Sequence, residues 1–236
     1  MGSFEKKILK FIEIFIDQNG YVKVLEGLQN TLLIAVLGLI FGAIIGTLIA
    51  TVRVIPKYKT LPKVLNGICS VYVGFFRGTP MTVQLLLFYY VLLPLMGVRI
   101  SGVNVSILVF SLNSGAYISE IMRGGIQSVD HGQMEAGRAV GLSFGMTMLR
   151  IVIPQAVKNI LPTMGNEFIS LIKETSVVSF VGAADLYVAF NYIGTNSYEF
   201  MVPYLVMAII YILLVLVISL GIKLMERRLA KSDRRN

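Results

Sequence analysis

From Thr31 to Val52 the chain passes through 22 consecutive positions without a charge. The hydrocarbon core of a bilayer is about 30 Å thick, and about 20 predominantly apolar residues of α-helix cross it. A surface helix of a soluble domain would set charged residues along one face over that length. Phe200 to Ile222 repeats the feature near the other end. Composition extends it to the whole chain: 56% of residues are hydrophobic, 14% are charged and the mean hydropathy is +0.76. A soluble domain has about 45–50% and about 25%, and one soluble core of this size cannot hide so much apolar surface. A disulfide scaffold is excluded because Cys69 is the sole cysteine, and disorder is excluded by the apolar content. In such a chain the net charge of +8 does not point to a nucleic-acid partner. An integral membrane protein is expected.

Three more spans bring the expected number to five. Ile100 to Ser119 is uncharged but has a polar face of Asn104, Ser106, Asn113 and Ser114. Asn66 to Val98 reads as one long or broken element, interrupted by Arg77-Gly78-Thr79-Pro80, with its span mainly from Thr79 to Leu95. Such breaks are tolerated where neighbours or water satisfy the freed backbone groups. Gly165 to Tyr187 carries Glu167, Lys173, Glu174 and Asp185, yet the stretch TSVVSFVGAA is too apolar for an exposed loop. In the first span Gly38, Gly42 and Gly46 recur every four positions and let another helix approach closely.

Basic residues alternate between the connections. Arg53, Lys57, Lys59 and Lys63 lie in the first, Arg99 in the second, and Arg123, Arg138, Arg150 and Lys158 in the third. The fourth has none, and Lys223, Arg227, Arg228, Lys231, Arg234 and Arg235 follow Ile222. By the positive-inside rule the C-terminus and the long third connection are cytoplasmic, so the net charge records topology. Phe4, Ile8, Phe11, Ile12 and Phe15 recur at helical spacing, so the N-terminal segment reads as an amphipathic helix lying in the membrane interface. No small-residue cleavage site follows it, and a signal peptide is not expected. The expected divisions are an interfacial segment (1–26), a transmembrane domain (27–222) and a basic cytoplasmic tail (223–236).

The third connection, about Met122 to Leu161, is long for a compact protein, and such loops are usually functional. Ser128 or Asp130 can cap a short helix through Arg138 and Val140, Gly141 and Gly145 interrupt, and a second helix is expected from about Phe144 to Ile153. Pro154 and Pro162 are expected to punctuate its end. Two short helices joined at a glycine make a knob suited to a groove on a partner. His131 is the only histidine, so no His pair can bind metal or form a dyad.

Glu135-Ala136-Gly137, three residues, Gly141, nine residues and Ile151-Val152-Ile153-Pro154 resemble the EAA loop of bacterial ABC importer permeases, E-A-A-x3-G-x9-I-x-L-P. Gly137 replaces the second alanine and Ile153 the leucine, with the spacing intact. Phe76-Arg77-Gly78-Thr79-Pro80 with Gln84 resembles the polar amino-acid permeases. So do Leu112 to Tyr117 with Glu120 and Arg123 to Ile126, then Pro154-Gln155-Ala156, Leu161-Pro162 and Lys173-Glu174-Thr175-Ser176. The resemblance covers about Asn30 to Arg228 and includes histidine and glutamine permeases. It implies an all-α membrane protein of about five spans with a cytoplasmic helical coupling loop. It also implies a second permease protomer (identical or not), cytoplasmic ATPase subunits and an extracytoplasmic amino-acid-binding protein. The chain has no G-x-x-x-x-G-K-[ST] phosphate loop. No cofactor is expected on it, and ATP with Mg belongs to the partner ATPase.

The resemblance assigns ATPase docking to Glu135, Ala136, Ala139, Gly141, Leu142, Phe144 and Gly145, with Leu142, Phe144 and Met146 filling an apolar groove on the partner. Ionisable groups at membrane depth are costly and face a wet interior, which makes path candidates of Asn113, Tyr117 and Glu120 on the third span. On the fourth they are Glu167, Ser170, Lys173, Glu174, Thr175 and Ser176. Glu167 or Glu174 can meet a substrate ammonium, and Asn113, Lys173, Thr175 and Ser176 its carboxylate. Equally, Glu120 can pair with Arg123, Lys173 can sit in a structural ion pair, and the hydroxyls can bond to their own helix. Arg77 is expected at the interface, its stem in lipid and its head in water, with a gate or substrate contact as the lesser reading. Two other classes are weighed. One is an ion-coupled secondary transporter using Glu120, Glu167 and Glu174; the other is an intramembrane hydrolase using Ser170 or Ser176 with Lys173.

Overall fold

The computed structural model describes residues 3–55, 58 and 60–233. All regular structure among them is helical, with no strand. The order is α1 (Ser3–Ile12), a π turn (Glu13–Asp17), α2 (Gly20–Val54) and α3 (Thr60–Gly78). Next come α4 (Met81–Leu87), a π turn (Phe88–Leu92), α5 (Leu93–Leu95), α6 (Gly102–Gln127), α7 (His131–Ala139) and α8 (Phe144–Thr147). A π turn (Met148–Val152), α9 (Ile153–Glu174), a 3-10 segment (Thr175–Val181), α10 (Leu186–Ser197) and α11 (Met201–Asp233) complete the chain. Three helices, α2, α6 and α11, are long and apolar enough to cross a bilayer singly; two broken pairs, α3 with α4–α5 and the run from α8 with α10, give up to five spans. Lys57, Lys59, Arg234 and Arg235 lie outside the described residues.

Several expected boundaries move. The helix of the first span starts at Gly20 rather than Thr31, so the division at residue 26 falls inside it. At 35 residues it is about 52 Å long, more than the hydrocarbon needs. The Asn66 to Val98 element is two helices, since Pro80 stands outside helical geometry as the N-cap of α4 (ψ 142°). The fourth span is not one helix from Gly165 to Tyr187. Its α-helix ends at Glu174, the 3-10 segment ends at Gly182 in the left-handed conformation, and Asp185 caps α10 by accepting the Val188 N–H at 2.9 Å. Pro154 and Pro162 do not end a helix either. The π turn after α8 runs straight into α9, where Pro154 stands second and Pro162 stands inside. The connection between spans is correspondingly shorter than Met122 to Leu161. Residues 223–233 continue α11 as helix.

The chain divides into two compact units. The first comprises Met1–Gly38, Thr79–Phe110 and Ser170–Val217, and the second Leu39–Gly78, Ser111–Ile169 and Ile218–Asn236. In the first unit, Ile14 and Val24 pack with Leu186, Ala189, Phe190 and Ile193, and Phe11 and Phe15 lie against them. Lys7 pairs with Glu199 at 3.1 Å. The N-terminal segment therefore docks on α10 rather than meeting lipid with its whole apolar face. The turn ahead of α10 is held by α2, where Asn30 Nδ2 donates to the Ala184 carbonyl at 2.8 Å. In the second unit α2 and α6 touch along small residues: a Cβ on Gly42 would lie 2.7 Å from Ser114 Cβ, and one on Gly115 2.7 Å from Ile45 Cγ2. The close approach expected of the glycine stripe is there.

Candidate functional site

In the second unit Asp130 caps α7 by accepting the Gly132 N–H at 2.6 Å. Nine residues later the helix stops in a Schellman motif: the Gly141 N–H donates to the Arg138 carbonyl and the Leu142 N–H to the Gly137 carbonyl, each at 3.1 Å. Gly141 has φ +90°, a left-handed conformation that glycine adopts without the cost a Cβ imposes. Ser143 then caps α8, its Oγ accepting the Met146 N–H at 3.3 Å. Buried Gly137 brings α7 against Thr147: a Cβ there would sit 2.4 Å from Thr147 Cγ2. Gln155 Nε2 donates to Gln133 Oε1 at 3.2 Å and ties α7 to α9. The result is a rigid knob with exposed Glu135, Ala136, Ala139, Gly141 and Gly145 and half-buried Leu142.

Phe144 is half-buried and lines an apolar cavity of about 370 Å³ in its own unit, with Thr47, Thr51, Met122, Met148 and Ala156 among the walls. The apolar side chains the knob exposes are Val140, 77% exposed, Leu149 and, as expected, Met146.

The same unit holds a polar cluster on α6. Glu120 pairs with Arg53 of α2, with Arg123 one turn on at 2.6 Å, and with Arg77 of α3 at 3.5 Å. The Arg77 guanidinium also lies over the Tyr117 ring, 5.4 Å from its centroid. Arg77 thus has its head against an ion cluster while its side chain stays 44% exposed. Asn113 is buried and donates to the Phe76 carbonyl at 3.1 Å, so its amide fastens α3 to α6. Sequence spacing offered the Glu120–Arg123 pair, but Arg53 and Arg77 come from other helices and no local pattern marks them. Glu167 lies half-buried on α9 in this unit.

In the first unit, Ser170 is half-buried and Lys173 and Glu174 are exposed on the last turns of α9. Thr175 is fully buried, and its hydroxyl donates to the Ile172 carbonyl at 2.8 Å. Ser176 donates to the Lys173 carbonyl at 3.3 Å. Both hydroxyls bond back to their own helix, and Thr175 has no surface with which to meet a ligand.

The described residues thus form a helical chain of three to five candidate membrane spans with a capped knob between α6 and α9. The family model described as "Binding-protein-dependent transport system inner membrane component" matches residues 38–231. The chain belongs to that family. It is a transport subunit rather than an enzyme, and the ATPase is a separate subunit. A relative from Rickettsia bellii named for glutamine transport is 37% identical over 209 residues, covering 89% of this chain and 94% of the relative. The arginine transport system permease protein ArtQ of Bacillus subtilis is 37% identical over 210 residues, covering 89% and 94%. A solved amino acid ABC transporter with histidines is 38% identical to the chain with a TM-score of 0.82, covering 91% of this chain and 98% of that one. The polar amino-acid permease family read from the motifs is the one these comparisons return.

Proposed function

We propose that the chain carries a polar amino acid inward across a bacterial cytoplasmic membrane, driven by ATPase subunits docked on its α7–α8 knob. The observation that carries this reading is the knob itself, a tip of small exposed residues on a base fastened by caps, a Schellman turn and buried Gly137. A rigid tip transmits the closing motion of a docked ATPase, where a flexible loop would absorb it, and the spans then alternate between inward- and outward-facing states. Lys and Arg in alternate connections put the knob and the C-terminus in the cytoplasm. A second permease protomer and an extracytoplasmic binding protein complete the importer. ATP and Mg reside on the ATPase, and this chain holds no cofactor. The cargo class follows relatives named for glutamine and arginine and the transporter solved with histidines.

Reconstitution of the chain with its ATPase and binding protein in proteoliposomes tests this. Uptake is expected to require ATP, to survive collapse of ion gradients, and to be competed by polar amino acids. Uptake that follows an ion gradient and survives ATP depletion would instead establish the secondary-transporter reading. Gly141→Asp places a side chain and a charge at the tip and is expected to leave the protein inserted while ATP hydrolysis no longer yields uptake. Normal uptake by that variant would refute docking at the knob.

A further inference from the structure

A zwitterionic amino acid crossing a membrane needs donors for its carboxylate, and Asn113 and Thr175 are committed to the Phe76 and Ile172 carbonyls. The Glu120 cluster supplies a different donor. Three guanidinium groups converge there on one carboxylate, and excess positive charge in a part-buried setting favours a second anion. The arginines are not equivalent. Arg53 lies closest to Glu120 and its side chain is 16% exposed. Arg123 is held by Glu120 at 2.6 Å and by Gln127 at 2.8 Å. Arg77 is the loosest at 3.5 Å, and its side chain is 44% exposed, so its fork of five N–H donors is largely unspent on Glu120. Tyr117, 37% exposed, lies under the guanidinium and attracts it by cation–π interaction. Arg77 also stands in the last turn of α3, just before the break between α3 and α4.

We propose that Arg77 is a binding residue for the α-carboxylate of the transported amino acid, held in place by Glu120 and Tyr117, with Arg53 and Arg123 compensating Glu120. This rests on the amino-acid reading above. The planar fork suits a carboxylate in a bidentate pair. A lipid phosphate has similar chemistry, so the test must separate the two.

The permease–ATPase complex, in phosphatidylcholine nanodiscs and without the binding protein, is titrated with radiolabelled L-arginine and L-glutamine, each competed by the free acid or by its α-carboxamide. The wild type is expected to prefer the acid by about tenfold, the worth of one charge-assisted pair. Arg77→Gln should bring acid and amide within about twofold, and Arg77→Lys should keep part of the preference. An unchanged ratio in Arg77→Gln overturns the assignment and leaves the guanidinium to a lipid phosphate. Equal weakening of acid and amide also overturns it, since that is the signature of a purely structural cluster. If the wild-type complex neither binds any amino acid of a wider panel in nanodiscs nor, with its binding protein in proteoliposomes, transports one, the amino-acid reading itself fails; transport in proteoliposomes with an unchanged ratio in nanodiscs sinks only the role of Arg77.

Discussion

Gly137 stands where the family motif has its second alanine, and the reason lies in Thr147. That side chain is fully buried and its hydroxyl donates to the Ser143 carbonyl at 3.0 Å, so it cannot turn away from an added methyl. Alanine in place of glycine inside a helix is worth about 1 kcal/mol, and forced overpacking costs about 1–3 kcal/mol. With the neighbour immobile the overpacking wins. Gly137→Ala is expected to destabilise the protein by about 1–2 kcal/mol, read as a lower melting temperature in detergent. Thr147→Ser removes the Cγ2 atom at 2.4 Å, keeps the donor, and should restore stability. A melting temperature unchanged in Gly137→Ala would show that the contact yields. The substitution was plain in the sequence, whereas its cause sits ten residues away across a turn whose geometry no local pattern states.

At the scale of elements, α1 shows how far periodicity reaches. The spacing of Phe4, Ile8, Phe11 and Phe15 identified an amphipathic helix, yet lipid and α10 are alike to an apolar face. The choice depends on Ile14 and on the pairing of Lys7 with Glu199. The Met201 N–H, at 2.9 Å, and then Lys7 hold the Glu199 carboxyl below the usual glutamate range. A carboxylate so shifted stabilises the fold above its unfolded pKa, and the contribution is lost as pH falls through the folded value. Backbone hydrogen exchange in α1, compared with that of α6, should therefore quicken on acidification below the ordinary glutamate range. In Glu199→Gln the acid-dependent part should vanish. The change will be small, because the pair is solvated, and a pH response identical in the variant would detach α1 from Glu199. The continuity of α9 across Pro162 was equally hidden. Proline in a soluble helix interior predicts a break, but in a membrane helix neighbours can satisfy the freed carbonyl.

At the scale of the molecule, association between spans depends on close packing, because lipid is as apolar as any side chain and provides no hydrophobic drive between helices. The contact of α2 with α6 along Gly42, Gly46 and Gly115 meets that requirement. Gly42→Leu is expected to abolish the monodisperse peak in size-exclusion chromatography. Gly221→Leu on α11, where nothing lies within 4 Å of an added Cβ, should leave it intact. Equal profiles for both variants would mean that the α2–α6 approach is not what holds the spans together.

The sequence alone determined that the chain enters a membrane and which family it belongs to, while of the five spans it suggested three stand as single helices long and apolar enough to cross. Each rests on something local: charge-free length against bilayer thickness, and motif spacing within one loop. The knob's outline was equally legible, because capping residues and a left-handed glycine act within a few positions of themselves. Only the tertiary structure decided that Asn113 donates to the Phe76 carbonyl and that Arg53 and Arg77 join Arg123 on Glu120. Those partners lie tens of residues apart on different helices. A side chain's freedom depends on what packs beside it, and helical period says which residues share a face but not what the face meets.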